Sequence, residues 1–210
     1  YKKQWNIVLE YYILKMDVAK YFDNINKEIL LKIISKKIKD KKILWLINEV
    51  LYSQKREKGL EIGNYTSQMF ANIYLNEIDQ FIKHKLHIKY YCRYLDDSIV
   101  IVKTKQEAKI ALKEITNFLK QNLQLELNKK TQIFKNKQGV NFCGYKINEY
   151  RLKIRDKGKR KLKKKVKKLK EKIKLEETTS KKAQKYLAGH LGYIKYADTK
   201  NLENTLFYFE

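Results

Sequence analysis

The spacing of apolar residues changes several times along this chain, and each change marks an element. "YYILKMDV" (residues 11–18) is short, β-branched and aromatic, which predicts a strand. In "NKEILLKIISKKI" (26–38) the apolar residues fall at helical spacing, with Asn26 placed to cap the helix N-terminus. "ILWLINEVLY" (43–52) predicts a second helix, a buried one, and "EKGLEIGNYT" (57–66), with its two glycines, a turn. "SQMFANIYLNEIDQFIKHKL" (67–86) and "KQEAKIALKEITNFLKQN" (105–122) predict amphipathic helices. "LQLELNKKTQIF" (123–134) and "GVNFCGYKIN" (139–148) predict strands separated at Gly139. After Gly158, Leu162, Val166, Leu169 and Ile173 form one apolar stripe on a helix otherwise made of lysine. "KKAQKYLAGHLGYIKYA" and "NLENTLFYF" predict a last helix pair. The order predicts an α+β region over residues 1–157 and an all-helical segment over 158–210, with no internal repeats.

Composition narrows the partners. At 210 residues and 43% hydrophobic, the chain can bury a core. No apolar run approaches the ~20 residues that span a bilayer, and "YKKQWNIVLEYY" lacks the small-residue cleavage site of a signal peptide, so no such peptide is expected there. Cys92 and Cys143 sit in apolar segments and read as small buried hydrophobes, not a disulfide, so the expected setting is a reducing cytoplasm. The net charge of +25 favours a polyanion, nucleic acid or an anionic membrane. Biased codon usage can inflate lysine, but it does not explain the unevenness. Residues 151–174 carry 15 Lys or Arg against 2 acids. That segment is either a solvated helix or, with its stripe packed, a surface for phosphates, in which Lys163, Lys164, Lys167 and Lys168 take part.

The acids are placed unusually. "KYYCRYLDDSIVIVKT" (89–104) predicts two strands joined by a tight turn that carries Asp96 and Asp97. An ordinary hairpin tip accounts for such a pair. So does a magnesium site, because Mg²⁺ takes hard oxygen ligands and cancels the repulsion between neighbouring carboxylates. Asp17 ends the first predicted strand on the face opposite Leu14, Met16 and Val18. With Asp96 and Asp97 it would make three carboxylates on one surface, a layout for in-line nucleotidyl transfer by two metals. Asp23, just before a helix, reads as a cap or turn residue.

These residues also carry a resemblance. "YLDD" resembles the YxDD box of reverse transcriptases, and "LKMDVAKYFDNI" their first palm motif. "IGNYTSQMFANIYLNEID" is similar to the second palm block. "LELNKKTQIF" and "VNFCGYKI" resemble the palm lysine motif and the primer-grip hairpin. All come in the family's order. The resemblance implies a right-hand polymerase palm, an antiparallel sheet with packed helices, plus a helical thumb. It implies an RNA template, a DNA or RNA primer, dNTPs and two Mg²⁺ ions, which Mn²⁺ can replace. Asp17, Asp96, Asp97 and the Val18 carbonyl would hold the metals. Phe22 would stack under the sugar and exclude a 2′-hydroxyl, with plain core packing as the alternative. Ile62, Gly63, Asn64 and Gln68 would line the nascent base pair. Lys130 would protonate the leaving pyrophosphate, and a surface role for it stays open. Tyr94 would pack beneath the primer terminus, and Phe142, Cys143, Gly144 and Tyr145 would grip the primer.

Ile62 stands where most of the family has glutamine. "IGNxTSQ" and the segment "YLAGHLGYIKYADTKNL" resemble the diversity-generating retroelement subclass, with group II intron enzymes the nearest competitors. That subclass implies error-prone copying and a small basic accessory protein. Only 16 residues precede Asp17, so a fingers region is expected to be missing from this chain, encoded separately or never assembled into it. The alternative function is a non-catalytic or maturase-like RNA-binding protein that keeps the palm as a scaffold. An RNA-templated RNA polymerase is disfavoured by Phe22 and Tyr94.

Overall fold

The computed structural model describes residues 10–53, 56 and 58–199. It divides into two compact units, one within Ile7–Lys135 and one within Asn136–Glu210.

The first unit is built on β1 (Tyr12–Asp17), β2 (Tyr90–Tyr94), β3 (Asp97–Val102) and β4 (Gln132–Lys135), hydrogen-bonded in the order β2-β3-β1-β4. All three pairings are antiparallel. Alternation decides which side chains face the core. Leu14 and Met16 are buried with Val18, while Lys15 and Asp17 take the other face. The helices are α1 (Tyr21–Asn24), α2 (Lys27–Ser35), α3 (Lys41–Tyr52), α4 (Tyr65–Gln80) and α5 (Lys105–Leu123). Ala71, Tyr74, Leu75 and Ile78 of α4 and Ala108, Ala111, Ile115, Leu119 and Leu123 of α5 recur every three or four residues and complete the core. Leu14 is wholly buried, and truncating it to alanine should cost about 2–5 kcal/mol. Asn26 caps α2 as its position suggests, its Oδ1 accepting from the Ile29 N–H at 3.1 Å. Asp40 and Thr104 cap α3 and α5 in the same way.

Three sequence expectations need correction here. Helix α3 is not buried. Leu51 is enclosed and Leu44 and Ile47 pack partly against the core, but Ile43, Trp45, Leu46, Val50 and Tyr52 are exposed. A single stripe of a four-sided apolar helix found a partner. The run 123–134 is not one strand. Gln124 ends α5 in the left-handed region, Leu127 makes one bridge to Val18, Asn128–Thr131 turns, and only then does β4 begin. Cys92 and Cys143 are exposed and form no disulfide. Cys92 points away from the core on an edge strand, and Cys143 sits in a hairpin turn at φ 47°.

The second unit has a three-stranded antiparallel sheet, β5 (Val140–Phe142), β6 (Tyr145–Ile147) and β7 (Leu152–Ile154), followed by α6 (Asp156–Lys174) and α7 (Ser180–Lys195). Ile154, Leu162, Val166, Leu187 and Ile194 form its core. Leu162 and Val166 of the apolar stripe are buried and Leu169 is partly so, while Lys163, Lys164, Lys167 and Lys168 are exposed. The composition break at 157/158 is therefore not a break in compactness. The hairpin β5–β6 pairs with β7, which was hidden in the lysine-rich run. The Gly144 carbonyl accepts from the Tyr193 hydroxyl of α7 at 2.5 Å. The Tyr145 hydroxyl donates back to the Tyr193 carbonyl at 2.8 Å, with the two rings stacked 4.7 Å apart. "NLENTLFYF" lies outside the described residues. Among the described residues, no helix is long and apolar enough to cross a membrane.

Candidate active site

The three acids meet because of strand register. Asp17 at the end of β1 is paired directly with Asp97 at the start of β3. Tyr94 at the end of β2 is paired with the same Asp97, which leaves Leu95 and Asp96 as a two-residue turn. Leu95 is left-handed, at φ 54°. That conformation costs a non-glycine residue on the order of 1 kcal/mol.

Like charges gathered in this way disturb one another. The Asp17 carboxyl is pushed above the usual carboxylate range, first by burial, then by the charges of Asp96 and Asp97 and a hydrogen bond with Asp96. Lys15 pulls it the other way. Lys15 and Asp17 share a face of β1, and the Lys15 ammonium lies 3.1 Å from Asp97 Oδ2. Asp97 Oδ1 is buried without a hydrogen-bond partner. An unmatched buried carboxylate oxygen beside two more carboxylates has the hard-oxygen chemistry that a divalent cation takes, and such a cation needs only one or two protein carboxylates plus substrate phosphates. Among the described residues no group of three or more His, Cys, Asp or Glu side chains is gathered closely enough to hold a metal ion, so Asp17, Asp96 and Asp97 lie near one another without forming a ready-made cation site. The positive charge at Asp97 is supplied by Lys15.

The remaining expected residues fall as follows. Val18 is buried and bridges to Leu127. Phe22 is half-buried against the core, edge-on to Tyr21 with centroids 5.6 Å apart. Ile62 is 80% exposed, and Gly63, at φ 113°, has no atom within 4 Å of where a side chain would begin. Asn64 stands at the N-terminus of α4, its amide donating to Glu61 at 2.8 Å. Gln68, one turn on, is exposed. Tyr94 is 62% exposed at the hairpin end. Lys130 is exposed in the turn Asn128–Thr131. Phe142, Cys143, Gly144 and Tyr145 form the β5–β6 hairpin of the second unit.

Sequence reading missed four residues. Asn128 fixes the Lys130 turn to Asp17, its backbone N–H donating to the Asp17 carbonyl at 2.7 Å and its side chain to Asp17 Oδ2 at 3.3 Å. Lys15 was passed over as one lysine among many, although its two-residue spacing from Asp17 put it on that face. Arg93 and Asp79 form a bidentate pair, at 2.8 and 2.6 Å, between β2 and α4. The signal was available for Arg93, a rare arginine in a lysine-rich chain.

Comparison with known proteins places the chain. Residues 2–147 match the model of the family described as reverse transcriptase (RNA-dependent DNA polymerase). The protein YkfC of Escherichia coli K12 is 25% identical over 181 residues, covering 65% of this chain and 46% of YkfC. The group II intron-encoded protein LtrA of Lactococcus lactis subsp. cremoris is 25% identical over 202 residues, covering 62% of this chain and 34% of LtrA. The chain thus spans less than half the length of either curated relative. Telomerase from Candida tropicalis shares the fold, with a TM-score of 0.60 at 18% identity over 75% of this chain and 34% of that one. Its complex with a fragment of telomeric RNA gives 0.59 at 17% identity over 80% of this chain and 34% of that one. The ordered motifs, the antiparallel sheet that pairs Asp17 with Asp97, and the family match agree, and the chain belongs to the reverse transcriptase family.

Proposed function

We propose that this chain carries the palm and thumb of an RNA-directed DNA polymerase that adds dNTPs to a primer on an RNA template. The observation that supports it most is the direct pairing of Asp17 with Asp97, with Asp96 in the adjoining turn. A hairpin tip with no chemistry to do has no reason to face a third carboxylate across the sheet. Asp17, Asp96, Asp97 and the Val18 carbonyl would hold two Mg²⁺ or Mn²⁺ ions. When bound, such ions supply charge neutralisation at the triphosphate and activation of the primer hydroxyl. Phe22 would lie under the sugar, and Ile62, Gly63, Asn64 and Gln68 beside the base pair. Tyr94 would support the primer end, and Lys130 would donate a proton to the departing pyrophosphate. The hairpin Phe142–Tyr145 would hold the primer strand, and the exposed lysines of α6 its phosphates and the template's.

Within the family, the exposed Ile62 favours an error-prone retroelement enzyme, with a small basic accessory protein as partner. The likeness to LtrA favours the group II intron branch and keeps a maturase-like RNA-binding role as the second reading. Primer extension on a defined RNA separates polymerase from binding protein. Extension should need Mg²⁺ or Mn²⁺ and should vanish in Asp96→Asn, while RNA affinity stays within about twofold. Extension by Asp96→Asn at the parent rate would sink the catalytic reading.

A further inference from the structure

We propose that the Asp79–Arg93 pair is the positioning device of the acid-bearing turn, a rigid strut that runs from α4 to the Leu95 carbonyl and holds Asp96 and Asp97 in place. The inference rests on the nucleotidyl-transfer reading above.

The turn needs such a device. Leu95 is held in a left-handed conformation that leucine disfavours. Asp96 and Asp97 lie next to Asp17, so repulsion as well as strain favours opening. Backbone pairing stops at Tyr94 and Asp97 and leaves the two residues between them to other contacts. Arg93 supplies one. Its Nη1 donates to the Leu95 carbonyl at 2.9 Å and to Asn72 Oδ1 at 3.2 Å. Its Nε and Nη2 donate to the two carboxylate oxygens of Asp79 at 2.8 and 2.6 Å. Asp79 is held in turn by the Tyr91 hydroxyl at 2.7 Å.

The chemistry of the parts suits the task. A guanidinium is a planar fork, so two bonds to one carboxylate fix its plane and thereby aim its third nitrogen. The Arg93 side chain is only 12% exposed, so the pair is little screened by water. Asn72 and Asp79 are two helical turns apart on α4, and Tyr91 and Arg93 are two residues apart on β2, so both pairs share a face. Helix α4 starts directly after Ile62, Gly63 and Asn64. One rigid helix thus carries the nucleotide-pocket segment at its head and the anchor of the acid turn two and four turns on. Arg93 touches no reacting atom in this scheme. It acts through Leu95 on the position of Asp96.

The test uses the whole chain as parent, Arg93→Lys, Asp79→Asn and, for reference, Asp96→Asn. Arg93→Lys keeps the charge, so a folded variant remains if Asp79→Asn fails to fold. Amide hydrogen exchange should quicken about tenfold at residues 95–97 in both strut variants and stay unchanged in β1. Mn²⁺ affinity, read by electron paramagnetic resonance with primer and template bound, should weaken about three- to tenfold, and kcat should fall about ten- to hundredfold with the dNTP KM within twofold. Parent-like exchange at the turn together with parent-like Mn²⁺ affinity would overturn the strut, as would faster exchange spread evenly over β1, β2 and β3. A parent that binds no more Mn²⁺ than Asp96→Asn and extends no primer would overturn the catalytic reading instead. Turn exchange would then still decide whether the strut holds Leu95.

Discussion

Lys15 Nζ stands 3.1 Å from Asp97 Oδ2, while Oδ1 of the same carboxylate is buried with no partner. The two sit diagonally across the β1–β3 pairing, on the face that also bears Asp17. The fold thus brings its own cation to a cluster of acids, but satisfies only part of the demand.

Replacing Lys15 with Gln should make that demand visible. The metal-free chain should lose about 1 kcal/mol, seen as a Tm lower by a few degrees. Millimolar Mg²⁺ should then raise the Tm of Lys15→Gln by more than it raises the parent's, because a ligand that binds only the folded state stabilises in proportion to its affinity. Equal shifts in the two melts would show that Lys15 and metal do not share Asp97.

Asp17 should trade stability for chemistry. Its folded pKa is raised by burial and by Asp96 and Asp97, so the folded chain binds this proton more tightly than the unfolded chain does. Its contribution is therefore favourable in acid and is lost as pH climbs from the ordinary carboxylate value through the raised one. Asp17→Asn should stabilise the metal-free protein at about pH 7, flatten stability across that window and abolish extension. A lower Tm at neutral pH would contradict the charge argument.

Phe22 is partly packed on the core and partly open. If the open part lies under the sugar, Phe22→Ala should admit ribonucleotides while dNTP kcat/KM falls by no more than about threefold. An unchanged preference between rNTP and dNTP would return the ring to packing alone.

Lysines 163, 164, 167 and 168 are all exposed on α6, opposite the buried Leu162 and Val166. Changing them to Gln should weaken binding to every RNA sequence alike. Each lost phosphate contact should flatten the slope of log K against log salt by about 0.7–0.9. A slope equal to the parent's would leave α6 a solvated face.

Ile62 offers volume but no hydrogen bond. Its 80% exposure shows that it is not a packing residue of this unit, so it is free to meet a base pair. A pocket without a polar group there should discriminate less well, and a loss of about 1.4 kcal/mol raises errors tenfold. Sequencing the products of parent and Ile62→Gln should show frequent errors opposite template adenine in the parent and fewer in the variant. Matching error spectra would remove the fidelity role.

Much of the fold was legible because periodicity reports burial. The strand of Asp17, the hairpin of Asp96 and Asp97 and the stripe of α6 were each fixed by which side chains had to be hidden. The acids were legible because carboxylates inside apolar runs need a reason. What failed has physical causes. An apolar pattern does not say whether a partner exists, so α3 seemed buried. Alternation does not reveal a helix cap such as Gln124, so one strand was expected where a cap, a bridge and a turn precede β4. Lys15, Asn128, Asp79 and Arg93 act through side-chain partners 82, 111 and 14 residues away, and no local pattern carries such pairings.

The latch between Gly144 and Tyr193 bears on how this protein can be recombined. A side chain at Gly144 is disfavoured twice, by its φ of 87° and by a Cβ that would lie 2.6 Å from the Tyr193 hydroxyl and displace it. Hairpin and α7 therefore pack as a matched pair. A chimera spliced at residue 157 would join one parent's hairpin to another's tyrosine and cut a sheet from the helices that cover it. A crossover between Lys135 and Asn136, where the two compact units divide, would keep the hairpin, its third strand and the helices that cover them together.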